Sequence, residues 1–340
     1  MVRIIDTPML ASLLRAVGTE TFLVQLTERI RLDFAAWASF DKCARMAAHS
    51  SHGVLELMPT SDNRWFSFKL VNGHPRNPAR GLLTVTAVGM LADVETGYPL
   101  LISEMTVLTA LRTAATSAMA ARALARCGCR TMALIGTGAQ AEYQALAFKA
   151  CLGIDRIQYF DTDPRAMRKF ALNLRSAGLE LEHCASAEMA VAGADVVTTA
   201  TAVKGRHIVL SDSWIRPGVH VNGIGGDCPG KTELDPALLR RSRVFVEYLP
   251  QSRIEGEIQS LGPASDAMEI WQVVAGNSPG RLSDADVTVF DSVGFALEDF
   301  SALRYVLELS ERLGIGGVTP IVPQPVDPKD LYGYMQTLSA

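Results

Sequence analysis

The segment Gly136-Thr137-Gly138-Ala139-Gln140-Ala141 constrains the fold more than any other stretch of the chain. It follows an apolar run, Met132 to Ile135, and opens a helical pattern from Glu142 to Lys149, so a strand, a tight glycine turn and a helix succeed one another. That is the context in which a G-x-G-x-x-A motif binds a dinucleotide. The glycines let the backbone approach a pyrophosphate, and the helix start offers unpaired N–H groups and the positive end of its dipole. A second apolar run, Arg156 to Phe160, ends in Asp161, where such folds place the acid that accepts the adenosine ribose hydroxyls. A carboxylate there repels a 2′-phosphate, so NAD is expected over NADP, with Arg165 and Arg168 the nearby cations that argue the other way. A ligand-free turn is the competing reading, and the strand, helix and terminal acid together weigh against it.

At 340 residues, 48% of them hydrophobic, the chain is long enough for two domains and a large core. The formal charge of −4 and the absence of any Lys/Arg run argue against nucleic-acid or anionic-membrane partners, leaving small-molecule chemistry. The first residues carry Asp6 and a broken apolar pattern, unlike a signal peptide, and no segment reaches the 18 or so apolar residues of a membrane helix, so a cytoplasmic protein is expected. Six scattered cysteines without a C-x-x-C pair fit reduced thiols, and no metal site is expected. Cys228 stands beside Asp227 but has no histidine nearby in sequence, so a small packed residue is the better reading than a nucleophile.

More than a hundred residues precede the fingerprint and are expected to bind substrate. Met9 to Phe40 reads as two amphipathic helices, with Leu10, Leu13, Leu14 and Val17, then Phe22, Leu23, Leu26, Ile30 and Phe34, at helical spacing. Alternation then takes over: Phe66, Phe68 and Leu70 share one strand face, with Ser67 and Lys69 on the other, and Asn72-Gly73 is expected to end the strand as a turn. Strands over Leu82 to Val94 and Tyr98 to Ser103 flank a turn at Glu95-Thr96-Gly97, and an alanine-rich helix from Thr106 to Ala125 leads into the nucleotide unit. An antiparallel sheet with helices is expected for this part.

Beyond Asp161 the strand–helix rhythm continues through Val196 to Thr201, a strand ending at Gly223, and Val287 to Asp291, giving a doubly wound, Rossmann-type α/β unit. The long helix Ala296 to Leu313 can return the chain to the first part. We therefore expect a nucleotide domain over residues 117–304, with residues 1–116 plus 305–340 forming an α+β substrate-binding and dimerisation domain.

Two groups of residues carry chemistry. The turn Gly225-Gly226-Asp227-Cys228-Pro229-Gly230-Lys231 follows a strand end, which puts Asp227 at the carboxyl edge of the sheet, where ligands bind in open α/β folds. A turn cap is the plainer reading of this Asp; its place favours an acid/base role. Arg45, Lys69 and Arg112 are cations in apolar or strand-like settings. Each alone is more often a solvated surface residue, and spacing cannot bring them together.

These segments resemble the ornithine cyclodeaminase/mu-crystallin family over essentially the whole chain. The resemblance is carried by Phe40-Asp41-Lys42 through Arg45, Glu56 to Pro59, Phe68-Lys69-Leu70-Val71-Asn72-Gly73-His74-Pro75, Leu111 to Thr116, Gly225 to Leu234 and Phe290-Asp291-Ser292-Val293-Gly294, and it is strongest to the bacterial ornithine cyclodeaminase branch. It implies that Arg45, Lys69 and Arg112 clamp a substrate α-carboxylate, that Glu56 meets the distal ammonium, that Val293 lies against the substrate chain and that Asp227 is the general acid/base. Thr113, Gly136, Gly138, Ala139, Gln140, Asp161, Thr162, Thr201, Lys231 and Ser292 take cofactor-contact positions. The implied reaction uses NAD twice, converting L-ornithine to L-proline with loss of ammonia, and the implied assembly is a homodimer joined through the first domain. A ketimine or pyrroline-carboxylate reductase, an amino-acid dehydrogenase, a lysine cyclodeaminase and a non-catalytic ligand-binding protein of mu-crystallin type are the alternatives within the same fold.

Overall fold

The computed structural model describes residues 1–202, 205–262 and 266–338, so the last two positions of the expected first domain lie outside the described residues. In the first part the order is β1 (Val2–Ile5), α1 (Thr7–Val17), α2 (Thr19–Ala35), β2 (Asp41–Lys42), β3 (Met46–His49), β4 (Val54–Ser61), β5 (Trp65–Gly73), β6 (Ala87–Asp93), β7 (Pro99–Glu104) and α3 (Thr106–Leu124). The nucleotide part runs β8 (Thr131–Ile135), α4 (Ala141–Leu152), β9 (Arg156–Phe160), α5 (Pro164–Leu174), β10 (Glu180–His183), α6 (Ala187–Val191), β11 (Val196–Thr199), β12 (Arg206–Leu210), β13 (His220–Gly223), β14 (Thr232–Leu234), α7 (Pro236–Arg241), β15 (Arg243–Val246), α8 (Leu249–Glu255), β16 (Met268–Glu269), α9 (Ile270–Val274) and β17 (Thr288–Asp291). The chain closes with α10 (Ala296–Leu313), β18 (Gly317–Thr319) and α11 (Leu331–Leu338).

The second sheet is all parallel in the order β10-β9-β8-β11-β13-β17-β15-β16. Chain order reverses between β8 and β11, which makes their carboxyl ends the crevice where a doubly wound sheet takes its ligand. The strands there are buried on both faces and read as apolar runs, such as Met132 to Ile135, all fully or nearly buried.

The first sheet runs β18-β1-β7-β6-β5-β4-β2, with β3 on β4. It is mixed where an antiparallel sheet is expected, because the N-terminal strand β1 pairs parallel with β7. The expected alternation on β5 holds: Ser67 and Lys69 are buried, Phe66 and Leu70 exposed. Two boundaries differ. Asn72-Gly73 is not a turn but the end of β5, because the Asn72 side chain accepts from the Thr86 backbone and hydroxyl and so fastens the following loop alongside the strand. For the same reason β6 starts at Ala87, and residues 82–86 are loop. The inner face is covered by α10, whose Phe300, Leu303 and Tyr305 join Phe22, Phe34 and Leu111 in one core. This helix is continuous through the expected junction at 304/305.

Candidate active site

The residues expected to touch a cofactor, apart from Thr113 on α3 and Lys231 directly before β14, stand just past the carboxyl ends of strands of the second sheet. Gly136 follows β8 with φ +98°, and a side chain there would meet the Ala200 carbonyl at 2.6 Å, so only glycine can pass so close to the end of β11. Gly138 and Ala139 are exposed, and a Cβ on Gly138 would meet nothing within 4 Å. That open surface at the start of α4, whose first N–H groups have no partners in the helix, fits an anion. Asp161 follows β9; its Oδ2 accepts from the Thr137 N–H at 2.6 Å and its Oδ1 from the Asp163 N–H at 2.9 Å, so the carboxylate is fixed beside the glycine turn. Thr162 is the exposed residue after it. Thr201 follows β11, Ser292 follows β17, and Gly225 to Lys231 follow β13. Asp227 is half exposed and pairs with Lys231 at 3.0 Å.

Arg45, Lys69 and Arg112, which spacing alone leaves apart, meet in one cluster: Arg45 and Arg112 border the turn Val293-Gly294 beyond β17, and Lys69 joins Arg112 on Asp299. Arg45 Nη2 donates to the carbonyls of Val293 and Gly294 at 2.6 and 2.7 Å. Gly294 has φ +79° and a Cβ on it would lie 2.8 Å from Arg112 Nη1, so both guanidinium groups border one glycine. Lys69 and Arg112 share Asp299: Lys69 Nζ lies 2.9 Å from its carboxylate and Arg112 Nε 3.0 Å, while Arg112 Nη1 also bonds Glu298. Arg45 lies between Glu56 at 3.0 Å and Glu255 at 3.1 Å.

The sequence reading gives no role to Glu247, Glu255, Glu298 or Asp299, yet these four acids organise the cluster. Glu247 accepts from the Ser292 hydroxyl at 2.6 Å and from the N–H groups of Val293 and Gly294, fixing the turn that the cations share. One signal was present: Glu298-Asp299 stand adjacent in the apolar helix start Ala296-Leu297-Glu298-Asp299-Phe300, where two consecutive acids cannot both face water on a buried helix. Burial pushes the Glu255 carboxyl up to about 7, against the pull of Arg45, and burial together with the neighbouring Glu298 pushes Glu247 up to about 8. Lys69 is drawn down to about 8 by burial and by Arg112.

A second set of buried acids lies under the Asp227 turn, and burial raises Glu257 to about 8 and Asp291 to about 7. Acids whose folded values exceed their unfolded ones contribute stability that is complete below about pH 4 and lost as pH rises to the folded values. Glu247, Glu255, Glu257 and Asp291 act together in this way, and His220, held down to about 3 by burial, acts oppositely only below pH 6.5. The melting temperature of the NAD-free protein is therefore expected to fall between pH 6.5 and 8; a flat or rising profile by scanning fluorimetry contradicts these assignments.

A parallel sheet with a glycine turn at its switch point, an acid beyond a neighbouring strand end and a cation cluster brought in by the first sheet and α3 fits a nucleotide-dependent enzyme acting on a small acid. The chain belongs to the ornithine cyclodeaminase/mu-crystallin family, whose model matches residues 7–312. It is 57% identical to an ornithine cyclodeaminase of Agrobacterium fabrum, covering 94% of this chain and 90% of that protein. Among solved structures, a lysine cyclodeaminase described for its recognition of L-lysine, L-ornithine and L-2,4-diaminobutyric acid is 33% identical with a TM-score of 0.91, covering 97% of this chain and 98% of that one. A dimeric archaeal alanine dehydrogenase with bound NAD is 30% identical with a TM-score of 0.86, covering 94% and 99%.

Proposed function

We infer that this protein is an NAD-dependent ornithine cyclodeaminase that converts L-ornithine to L-proline and ammonia. The observation that carries the reading beyond the family is the mixture of charge in the cluster: Glu56, Glu255, Glu298 and Asp299 stand among Arg45, Lys69 and Arg112, so cations for a carboxylate and acids for ammonium groups lie within one site. Lys69 and Arg112, aligned by Asp299, take the substrate α-carboxylate together with Arg45, because a guanidinium or ammonium fixed by one acid presents its remaining donors in a set direction. Glu56 takes the distal ammonium, and Val293 borders the chain between the two ends. Thr113, Gly136, Gly138, Ala139, Gln140, Asp161, Thr162, Thr201, Lys231 and Ser292 hold the cofactor.

Bound NAD supplies a hydride acceptor and later a hydride donor. Asp227 first accepts a proton from the α-ammonium, since an amine must be neutral before its Cα can give up hydride. Loss of hydride leaves a C=N bond at Cα. The δ-amine, its ammonium proton released to solvent, attacks that carbon; the new C–N bond closes a five-membered ring, the α-nitrogen takes the proton held by Asp227 and leaves as ammonia as its bond to Cα breaks, and the ring nitrogen gives a proton back to Asp227. Hydride then returns to Cα of the ring imine as its nitrogen is protonated, giving proline with no net oxidation. Attack within one molecule needs only orientation, which the two pinned ends provide.

Pinned ends make chain length decisive. Lysine must fold one more methylene into the same span, a difference worth about 1–3 kcal/mol, so it is expected to be a poor substrate or an inhibitor. Glu56→Gln is expected to lower kcat/KM more for ornithine than for shorter amino acids without a distal amine. Equal losses for both, or faster turnover of lysine or alanine by the wild type, favour a lysine-cyclising enzyme or a dehydrogenase on the same scaffold.

The assembly is a homodimer and the protein cytoplasmic in this reading. Leu55, Phe66, Leu70 and Val88 are exposed on the outer face of β4 to β6, at 38–49%, and adjoining apolar side chains of this size mark an interface. None of the six cysteines forms a disulfide, and among the described residues no single helix is long and apolar enough to cross a membrane. Light scattering is expected to give twice the chain mass, and Leu70→Glu to reduce it to one; a monomeric wild type removes this part of the account.

A further inference from the structure

We propose that Glu233 is a positioning residue that locks the Asp227 turn to the cofactor strand. Its carboxylate is 1% exposed and reaches both sides of the crevice. Oε1 accepts from the Thr201 N–H at 3.0 Å and from the Thr201 hydroxyl, at the end of β11. The same carboxylate lies flat against Gly225, where a Cβ would stand 2.0 Å from Oε2. Gly225 is two residues before Asp227, so Glu233 occupies the space of the missing side chain and sets the height at which the turn leaves β13. Lys231, bonded to Asp227 at 3.0 Å, is the cation whose field falls on Glu233.

Glu233 is itself held from below. Both oxygens of Glu257 accept its backbone N–H, at 2.9 and 3.0 Å, and Oε2 also accepts from Leu234 at 2.9 Å. Asp291, at the end of β17, accepts from the N–H groups of Glu257 and Ile258 at 2.8 and 3.0 Å. Gly226 and Gly256 lack side chains where these acids pack, since a Cβ on either would come within 2.4 Å of Glu257 or Asp291. Three buried carboxylates, each bonded to backbone amides, thus form a ladder from the core strand β17 to the acid turn. Burying acids in this way is costly unless their oxygens are bonded, and fixing a reacting group to within a fraction of an ångström is what such a structure can return.

The test compares Glu233→Ala, Glu233→Gln and Gly225→Ala with the double variant Gly225→Ala/Glu233→Ala, each checked for NAD binding by fluorescence and for melting. Expected for Glu233→Ala are a kcat at least tenfold lower and an ornithine KM within threefold of wild type. Glu233→Gln, which keeps the volume and an acceptor for Thr201, should recover to within threefold. Gly225→Ala should be at least as damaging alone but add nothing to Glu233→Ala, because the methyl group then enters vacated space. A loss in kcat below tenfold for Glu233→Ala, a Gln variant as impaired as the Ala variant, or additive losses in the double variant overturns the proposal. Should Glu233→Ala not fold, folded Gly225→Ala decides alone: wild-type activity there overturns it and a tenfold loss supports it. The proposal rests on the cyclodeaminase reading only for its assay, since a wild type inactive on ornithine defeats that reading first.

Discussion

Asp227→Asn is expected to lower kcat by more than tenfold while NAD affinity stays within about twofold of wild type. The asymmetry follows from geometry. The acid follows β13 and is half exposed, bonded to Lys231, while the proposed nucleotide turn from Gly136 to Gln140 follows β8, a separate strand end that offers an anion backbone N–H groups. Asparagine keeps the size and one acceptor but cannot take a proton, so every step that moves one through this position fails: release of the α-ammonium proton, departure of ammonia and protonation of the ring nitrogen. NAD titration by fluorescence and an ornithine assay on the same preparation separate the two. Activity above a tenth of wild type removes Asp227 from the acid/base role.

The second large effect belongs to Arg112→Met. Arg112 is 5% exposed and answers both Glu298 and Asp299, leaving Lys69 as the other cation on Asp299. Removing one partner of a buried ion pair costs about 3–5 kcal/mol because the remaining charge is stranded, so the melting temperature is expected to drop by several degrees. A loss in function is expected besides the loss in stability. The α-carboxylate loses a fixed donor, and kcat/KM for ornithine should fall by about thirtyfold or more, the equivalent of about 2 kcal/mol. Double replacement, Arg112→Met with Glu298→Gln, should recover melting temperature but not activity. Recovery of both would make Arg112 a purely structural partner of α10.

What could be read from the sequence was what depends on local backbone chemistry. The turn from Gly136 to Ala141 needs glycine at φ +98° beside another strand end, and the sequence around it already spells strand, turn and helix. Alternation on β5 separates Lys69 and Ser67 from Phe66, Phe68 and Leu70, but it does not say which face turns inward, and the buried face is the one that carries the lysine. The partner of that lysine is not legible either, because Asp299 is 230 residues away on α10, and its place in an apolar helix start marks it as buried without naming the cation it meets. The same holds for Glu247 and Glu255, which matter only because β15 and α8 bring them to the Val293-Gly294 turn. Asn72-Gly73 misled for a related reason: a pair that favours a tight turn in isolation is here overruled by a side chain that bonds the next loop to the strand. Resemblance supplied the cation cluster as a set; the structure supplied the carboxylates that hold it and thereby the charge argument for a diamine.

The central claim is that hydride leaves and returns within one turnover, and one assay tests it directly. The purified protein is incubated with L-ornithine and NAD at a tenth of the ornithine concentration, and proline, ammonia and NADH are measured together over time. Proline and ammonia are expected in equal amounts, rising past the NAD concentration, with no accumulating NADH. NADH formed in step with ornithine consumed, stopping when NAD is exhausted, would contradict it.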